Sequence, residues 1–195
     1  MILVALGGNL ATLFGTPLST LKAALAQMPD YGIDVSRCSS FYETPAVTPD
    51  AQPPYVNAVA VVETAMPASE LLSALHRIEA QFGRRRQTRW AARTLDLDLL
   101  DYGGEVVIDS GPRGLEAGVG PLPLALPHPG IPERGFVLVP LAEVAPAWRH
   151  PVMGESAAEL LRRLEGAGDR ASLAGITRIQ GRFGDENGEF RVLNA

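Results

Sequence analysis

Residues 93–103, RTLDLDLLDYG, alternate leucine with aspartate at the period of a β-strand. Successive strand side chains point to opposite faces, so Asp96 and Asp98 project together while Leu95, Leu97 and Leu99 point the other way. One face of such a strand belongs to a core and the other collects carboxylates. Unpaired buried carboxylates are expensive, and two neighbours repel and have raised pKa values unless a cation lies between them. Magnesium meets that demand: it is hard, prefers oxygen ligands, and commonly takes one or two carboxylates together with substrate phosphates. Zinc suits the site less, because no His or Cys lies close in sequence. Taken alone, Asp-x-Asp is more often the solvent-facing side of an amphipathic strand.

The segment just upstream, GRRRQTRWAAR, crowds Arg84, Arg85, Arg86, Arg89 and Arg93 together, although Lys22 is the only lysine of the chain. Arginine presents a fixed fork of donors that matches phosphate oxygens. A solvated basic loop accounts for such a cluster by itself. Carboxylates for metal beside arginines for phosphate are the parts of phosphoryl transfer.

The remaining composition narrows the field. With 195 residues the chain suits one domain with a full core plus appendages. Its longest apolar stretches, such as AVAVV at residues 58–62, are far too short to cross a bilayer, so no membrane role is expected. The opening MILVALGG reads as a first strand and not as an export signal, which places the chain in the cytoplasm. Cys38 is the only cysteine, which excludes an internal disulfide or a cysteine metal cage. A net charge of −5 argues against general nucleic-acid binding.

Residues 2–7 read as a buried strand closed by Gly7, Gly8 and Asn9, and LGGNL lacks the Gly-Lys-Ser/Thr ending of a P-loop, so a tight turn into a helix is expected. Thr16 then Pro17 signal a helix start, with Leu18, Leu21, Leu25 and Met28 at helical spacing. Residues 33–43 and 55–64 are strand candidates, separated by the proline-rich loop TPAVTPDAQPP. Pro67 opens a second helix with the stripe Leu71, Leu72, Leu75, Ile78 and Phe82, ended by Gly83. After the Asp96 strand, Gly103 and Gly104 are expected to turn the chain into a hairpin with EVVID. The order β-α-β-β-α-β predicts an α+β, ferredoxin-like fold, an antiparallel sheet with two helices on one face. Two further short helices are expected within RGFVLVPLAEVAP and SAAELLRRLEG. The expected division is a domain over residues 1–165, with a Gly- and Pro-rich insertion at 110–123, and an extension over 166–195 that forms a terminal hairpin.

Three other positions carry chemistry. His128 sits between prolines in LPHPGIPERGF with Arg134 six residues on; a lone histidine is more often structural. Tyr55 and Asn57 share a strand face and offer an aromatic plate and an amide to a flat heterocycle, although a tyrosine packed at the sheet rim fits as well.

From LGGNL through SSFYETPAV, PPYVNAVAVVET, RIEAQFGRRR and RWAARTLDLDLL to LPHPGIPERGFVLVPLAEVAP, the chain resembles the 6-hydroxymethyl-7,8-dihydropterin pyrophosphokinase family. The resemblance implies transfer of pyrophosphate from ATP to a pterin alcohol in folate biosynthesis. It assigns Asp96 and Asp98 to two magnesium ions, and Arg84, Arg86 and Arg93 to catalysis at the phosphates. Glu79, Leu99, His128 and Arg134, again with Arg84 and Arg93, would border the ATP. Tyr55 and Phe136 would sandwich the pterin, with Asn57 and the backbone around Thr44, Pro45 and Val47 reading its polar edge and Trp90 covering it. The loop between Gly83 and Trp90 would close over both substrates. The partners implied are these small molecules alone, bound by a monomer or weak homo-oligomer.

Two rivals differ in class. Nucleotidyltransferases also use a Gly-containing turn and an Asp-x-Asp strand, but their turn lies close before the aspartates, whereas LGGNL and Asp96 are far apart. A non-catalytic ferredoxin-like binding module would not need paired metal carboxylates.

Overall fold

The computed structural model describes residues 1–46, 51–84, 92–108, 124–166, 173–180 and 183. Six strands form one sheet: β1 (Ile2–Gly8), β2 (Asp34–Cys38), β3 (Phe41–Thr44), β4 (Tyr55–Glu63), β5 (Asp96–Tyr102) and β6 (Thr177–Gln180). The strands run in the order β5-β1-β4-β3-β6, with β2 also on β4, and every pairing is antiparallel. The single strand expected over 33–43 is interrupted at Ser39 and Ser40, and both halves lie along β4. Read as one broken strand, they make the order compatible with the ferredoxin-like arrangement.

Helix α1 (Pro17–Gln27) begins where Thr16, extended at φ −64° and ψ 163°, accepts the Ser19 N–H on its hydroxyl at 3.3 Å. Helix α2 (Ala68–Gln81) buries Leu71, Leu75 and Ile78, as its stripe requires. Both cover the sheet face that carries Val4, Leu6, Val56, Ala58, Leu97 and Leu99. Helices α3 (Gly135–Val144) and α4 (Ala157–Gly166) pack on the opposite face, over Leu3, Val59, Val61 and Leu100. Alternation along β4 thus feeds two cores, which explains why its run of buried residues is almost continuous.

The expected hairpin after β5 does not form. Gly103 and Gly104 make the turn at φ 61° and 82°, but Val107 exchanges main-chain hydrogen bonds of 2.8 and 3.0 Å with Leu126 and not with β5. Near the other end of the described chain β6 pairs with β3, and Gly175, at φ 72°, lies against the Pro45 ring. The insertion at 110–123 and the second arm of the terminal hairpin fall outside the described residues.

Candidate active site

Register builds the site. Gly7 of β1, the strand between β5 and β4, stands opposite Asp96 of β5 and Asn57 of β4, and Ala5 stands opposite Asp98 and Val59. Cross-strand partners share a face, so both aspartates lie on the α3 side, over a floor of small residues. Helix α3 covers this face only from Gly135 onward. An open cleft remains, lined by Gly7, Asn57, Asp96, Asp98, Phe136 and Val137.

Glycine is required at this end of β1, at Gly7 in the floor and at Gly8 on the α1 side. A Cβ on Gly8 would stand 2.6 Å from the Thr94 carbonyl oxygen, and one on Gly7 would stand 2.9 Å from Asn57 Oδ1. At Gly8 the main chain of β1 therefore approaches the Thr94 main chain more closely than a side chain permits.

The two carboxylates have different company. Asp96 accepts hydrogen bonds from Arg84 on Oδ1 and from Arg93 on Oδ2. Burial works to raise its carboxyl, but the two guanidiniums outweigh burial and hold it below the usual carboxylate range. Asp98 meets Arg134 at 3.8 Å. Burial and the charge of Asp96 raise its carboxyl, against weaker opposition from His128 and Arg134. One aspartate is clamped and the other is left open to a cation.

Helix α2 supplies a further acid. Glu79, 2% exposed, accepts the Leu97 N–H at 2.8 Å and an Arg84 hydrogen bond on the same Oε1. Arg84 therefore bridges Glu79 and Asp96.

His128 is docked by its own N–H on the Leu100 carbonyl at 2.8 Å. Leu100 is the extra residue of β5 at the register shift opposite Leu3 and Val4. The imidazole Nδ1 accepts the Gly130 N–H at 3.0 Å, so the neutral ring carries its proton on Nε2. Burial lowers its pKa, with Asp98 acting in the opposite sense. Arg134 crosses this loop with its guanidinium carbon 5.9 Å from the Phe136 ring centre.

On the opposite side of the cleft Asn57 donates through Nδ2 to Thr44 Oγ1 at 2.8 Å. Tyr55 shares the Asn57 face of β4, as alternation requires, and its hydroxyl donates to Gln52 Oε1 at 3.4 Å. Of the residues expected from sequence, Asn57, Asp96, Asp98 and Phe136 line the cleft itself. Arg84, Arg93, Arg134 and Glu79 reach it through ion pairs, and Thr44 through Asn57. The Leu99 side chain lies in the α1–α2 core, leaving only its main chain on the site's strand. Pro45 is exposed beyond β3. Val47, Arg86 and Trp90 lie outside the described residues. Sequence reasoning read Asn9 only as part of a turn, yet its amide ties the Arg93 main chain to the Gln52–Pro53 segment.

A sequence profile described as 7,8-dihydro-6-hydroxymethylpterin-pyrophosphokinase (HPPK) matches residues 3–146. The chain belongs to the HPPK family. An HPPK relative from Synechocystis, a 2-amino-4-hydroxy-6-hydroxymethyldihydropteridine pyrophosphokinase, is 40% identical over 163 residues, covering 83% of this chain and 75% of the relative. The Haemophilus influenzae protein of the same description is 41% identical over 143 residues, 73% of this chain and 79% of its own. Among solved structures, Plasmodium falciparum HPPK-DHPS crystallised with pteroate has the same fold, with a TM-score of 0.66 at 14% identity. That alignment covers 91% of this chain and 47% of the larger Plasmodium chain. Among the described residues no helix is long and apolar enough to cross a membrane.

Proposed function

We propose that this chain transfers the pyrophosphoryl group of ATP to 6-hydroxymethyl-7,8-dihydropterin, releasing AMP, as a step of folate biosynthesis. One observation carries the reading: in an HPPK-family chain, paired carboxylates, an aromatic ring and an amide line a single cleft, as Asp96, Asp98, Phe136 and Asn57.

The donor set suits magnesium. Asp96 and Asp98 are oxygen ligands on one strand face, and no cluster of three or more His, Cys, Asp or Glu side chains exists among the described residues to form an all-protein cage. An ion with few protein ligands completes its shell with water and substrate phosphates, as magnesium does. Two ions are expected, held by Asp96 and Asp98, and when bound they would neutralise the triphosphate and polarise the transferred group.

The hydroxymethyl oxygen attacks the β-phosphorus in line, the bond from that phosphorus to the α,β-bridging oxygen breaks, AMP leaves, and the hydroxyl proton passes to solvent. Arg84 and Arg93, already gathered on Asp96, would meet the phosphate oxygens brought there by the metal ions. Glu79 keeps Arg84 aimed at the site. His128, with its proton on Nε2, and Arg134, beside Asp98, would stabilise charge developing on the phosphates. Phe136 and Tyr55 bracket the pterin plane while Asn57 and the main chain at Thr44 and Pro45 read its polar edge. Arg86 on the phosphates, and Val47 and Trp90 on the pterin, complete the assignment from the family pattern. Positioning and electrostatics carry the step, and no strong general base is required.

The test is AMP release from magnesium and ATP with and without the pterin, for the native chain and for Asp98→Asn. Pterin-dependent AMP from the native chain alone is the expected result. A folded native chain that makes no AMP would favour a non-catalytic binding module.

A further inference from the structure

We infer that Asn9 is a positioning residue that couples the two substrate sides of the cleft. This rests on the reading above, in which Arg93 serves the ATP phosphates and Tyr55 the pterin.

Asn9 is 3% exposed, directly follows β1, and bonds to the chain before β5 and to the chain before β4. On one side it grips both polar groups flanking the Arg93 side chain. Its Oδ1 accepts the Arg93 N–H at 2.9 Å, and its own N–H donates to the Arg93 carbonyl at 3.0 Å. On the other side its Nδ2 donates to the Pro53 carbonyl at 3.2 Å and to Gln52 Oε1 at 3.3 Å. Gln52 Oε1 also accepts the Tyr55 hydroxyl at 3.4 Å. A single amide thus joins the main chain that aims Arg93 to the segment that aims Tyr55.

Only asparagine has this valence at this reach: one carbonyl acceptor and two N–H donors on a one-carbon stem. Aspartate keeps the acceptor for Arg93 and loses both donors, so it cuts the bridge on one side alone. Ordering Arg93 on a nucleotide fixes Asn9, which leaves less disorder for the pterin to remove at Gln52 and Tyr55. The gain is reciprocal by linkage. Filling either side therefore raises affinity for the other, and the increment passes through Asn9.

The experiment is a fluorescence titration with 6-hydroxymethylpterin, with and without magnesium and an α,β-methylene ATP analogue, on the native chain, Asn9→Asp and Gln52→Ala. In the native chain the analogue is expected to tighten pterin binding. In Asn9→Asp that enhancement is expected to fall about fivefold or more, toward unity, while affinity for the analogue alone changes little. Gln52→Ala, which leaves the Arg93 contacts of Asn9 intact, is expected to lose the enhancement too, and carries the test if Asn9→Asp does not fold. A buried residue with a purely structural role would lower both affinities and the melting temperature together and leave their ratio unchanged. Native enhancement that persists in the folded variants, or is absent from a native chain that binds both ligands, overturns the inference. A native chain that binds neither ligand overturns the reading of the site itself.

Discussion

Asp96 and Asp98 share one face of β5, yet Asp96 lies between the guanidiniums of Arg84 and Arg93 while Asp98 meets one guanidinium, Arg134, at 3.8 Å. Neutralising them should shift stability in opposite directions. The folded Asp98 carboxyl is raised above its ordinary 3.8, so just above that value the folded state holds more protons than the unfolded one. Stability is therefore lost as pH rises through the folded pKa. Asp98→Asn removes that loss, and its melting temperature without magnesium is expected to exceed the native value at neutral pH. Asp96 is lowered, so its contribution is present above the ordinary carboxylate range and is lost as pH falls through the folded pKa. Asp96→Asn should cost roughly 2 kcal/mol, the worth of charged hydrogen bonds, or a fall of about 4–8 °C. Both variants should be inactive. Thermal melts in chelator at neutral and mildly acidic pH check the pair, and shifts of one sign in both would contradict this account.

Two glycines near the site should behave unlike each other. A Cβ on Gly130 would meet the Arg134 guanidinium at 2.6 and 2.7 Å, the far end of a flexible side chain that can swing aside. Gly130→Ala should melt within about 0.5 kcal/mol of native while losing activity, because Arg134 leaves Asp98 and Phe136. A Cβ on Gly8 would meet the Thr94 main chain at 2.6 Å and cannot be relieved so cheaply. Gly8→Ala should cost about 1–3 kcal/mol. Denaturant titration beside steady-state turnover separates the two.

His128 should act as a neutral donor. Its Nδ1 accepts the Gly130 N–H, and protonation there would set two donors against each other. The acid limb of kcat/KM attributable to this ring is expected below the ordinary 6.5, because burial lowers the pKa. His128→Ala should reduce kcat by about 10²-fold, the scale for losing one donor to a transition-state oxyanion. His128→Gln, which keeps an amide N–H, should recover part of that loss. A pH–rate profile of the three proteins tests both points.

Phe136 lines the cleft from α3 and Arg134 rests over its ring. Phe136→Leu should raise KM for the pterin about tenfold, in keeping with roughly 1–3 kcal/mol for stacking a heterocycle on an aromatic ring. KM for ATP should change much less. Equal rises in the two constants would contradict the placement of Phe136 on the pterin side.

Much of this was legible because strand alternation is a strong local signal. The Leu-Asp run placed Asp96 and Asp98 on one face, and Thr16-Pro17 marked the start of α1. The hairpin expected after β5 failed because turn chemistry at Gly103 and Gly104 fixes a reversal but not which strand receives the returning chain. Leu126, far along the sequence, took Val107. Asn9 and Gln52 escaped notice for a related reason. Their partners lie across the fold, and nothing within a short window reveals a hydrogen bond spanning 84 residues, as that from Arg93 to Asn9 does.

Glu79 has a consequence beyond ion pairing. Strand β5 is the last strand on its side of the sheet, where an exposed main-chain N–H invites another molecule's strand to add on. The Leu97 N–H at that border is taken by the buried Glu79 carboxylate, a side chain that ends the ladder where a strand would extend it. The border that bears Asp96 and Asp98 is thereby closed to edge-to-edge strand addition at Leu97, so one acid of α2 both holds Arg84 and guards the sheet's margin against a neighbouring molecule.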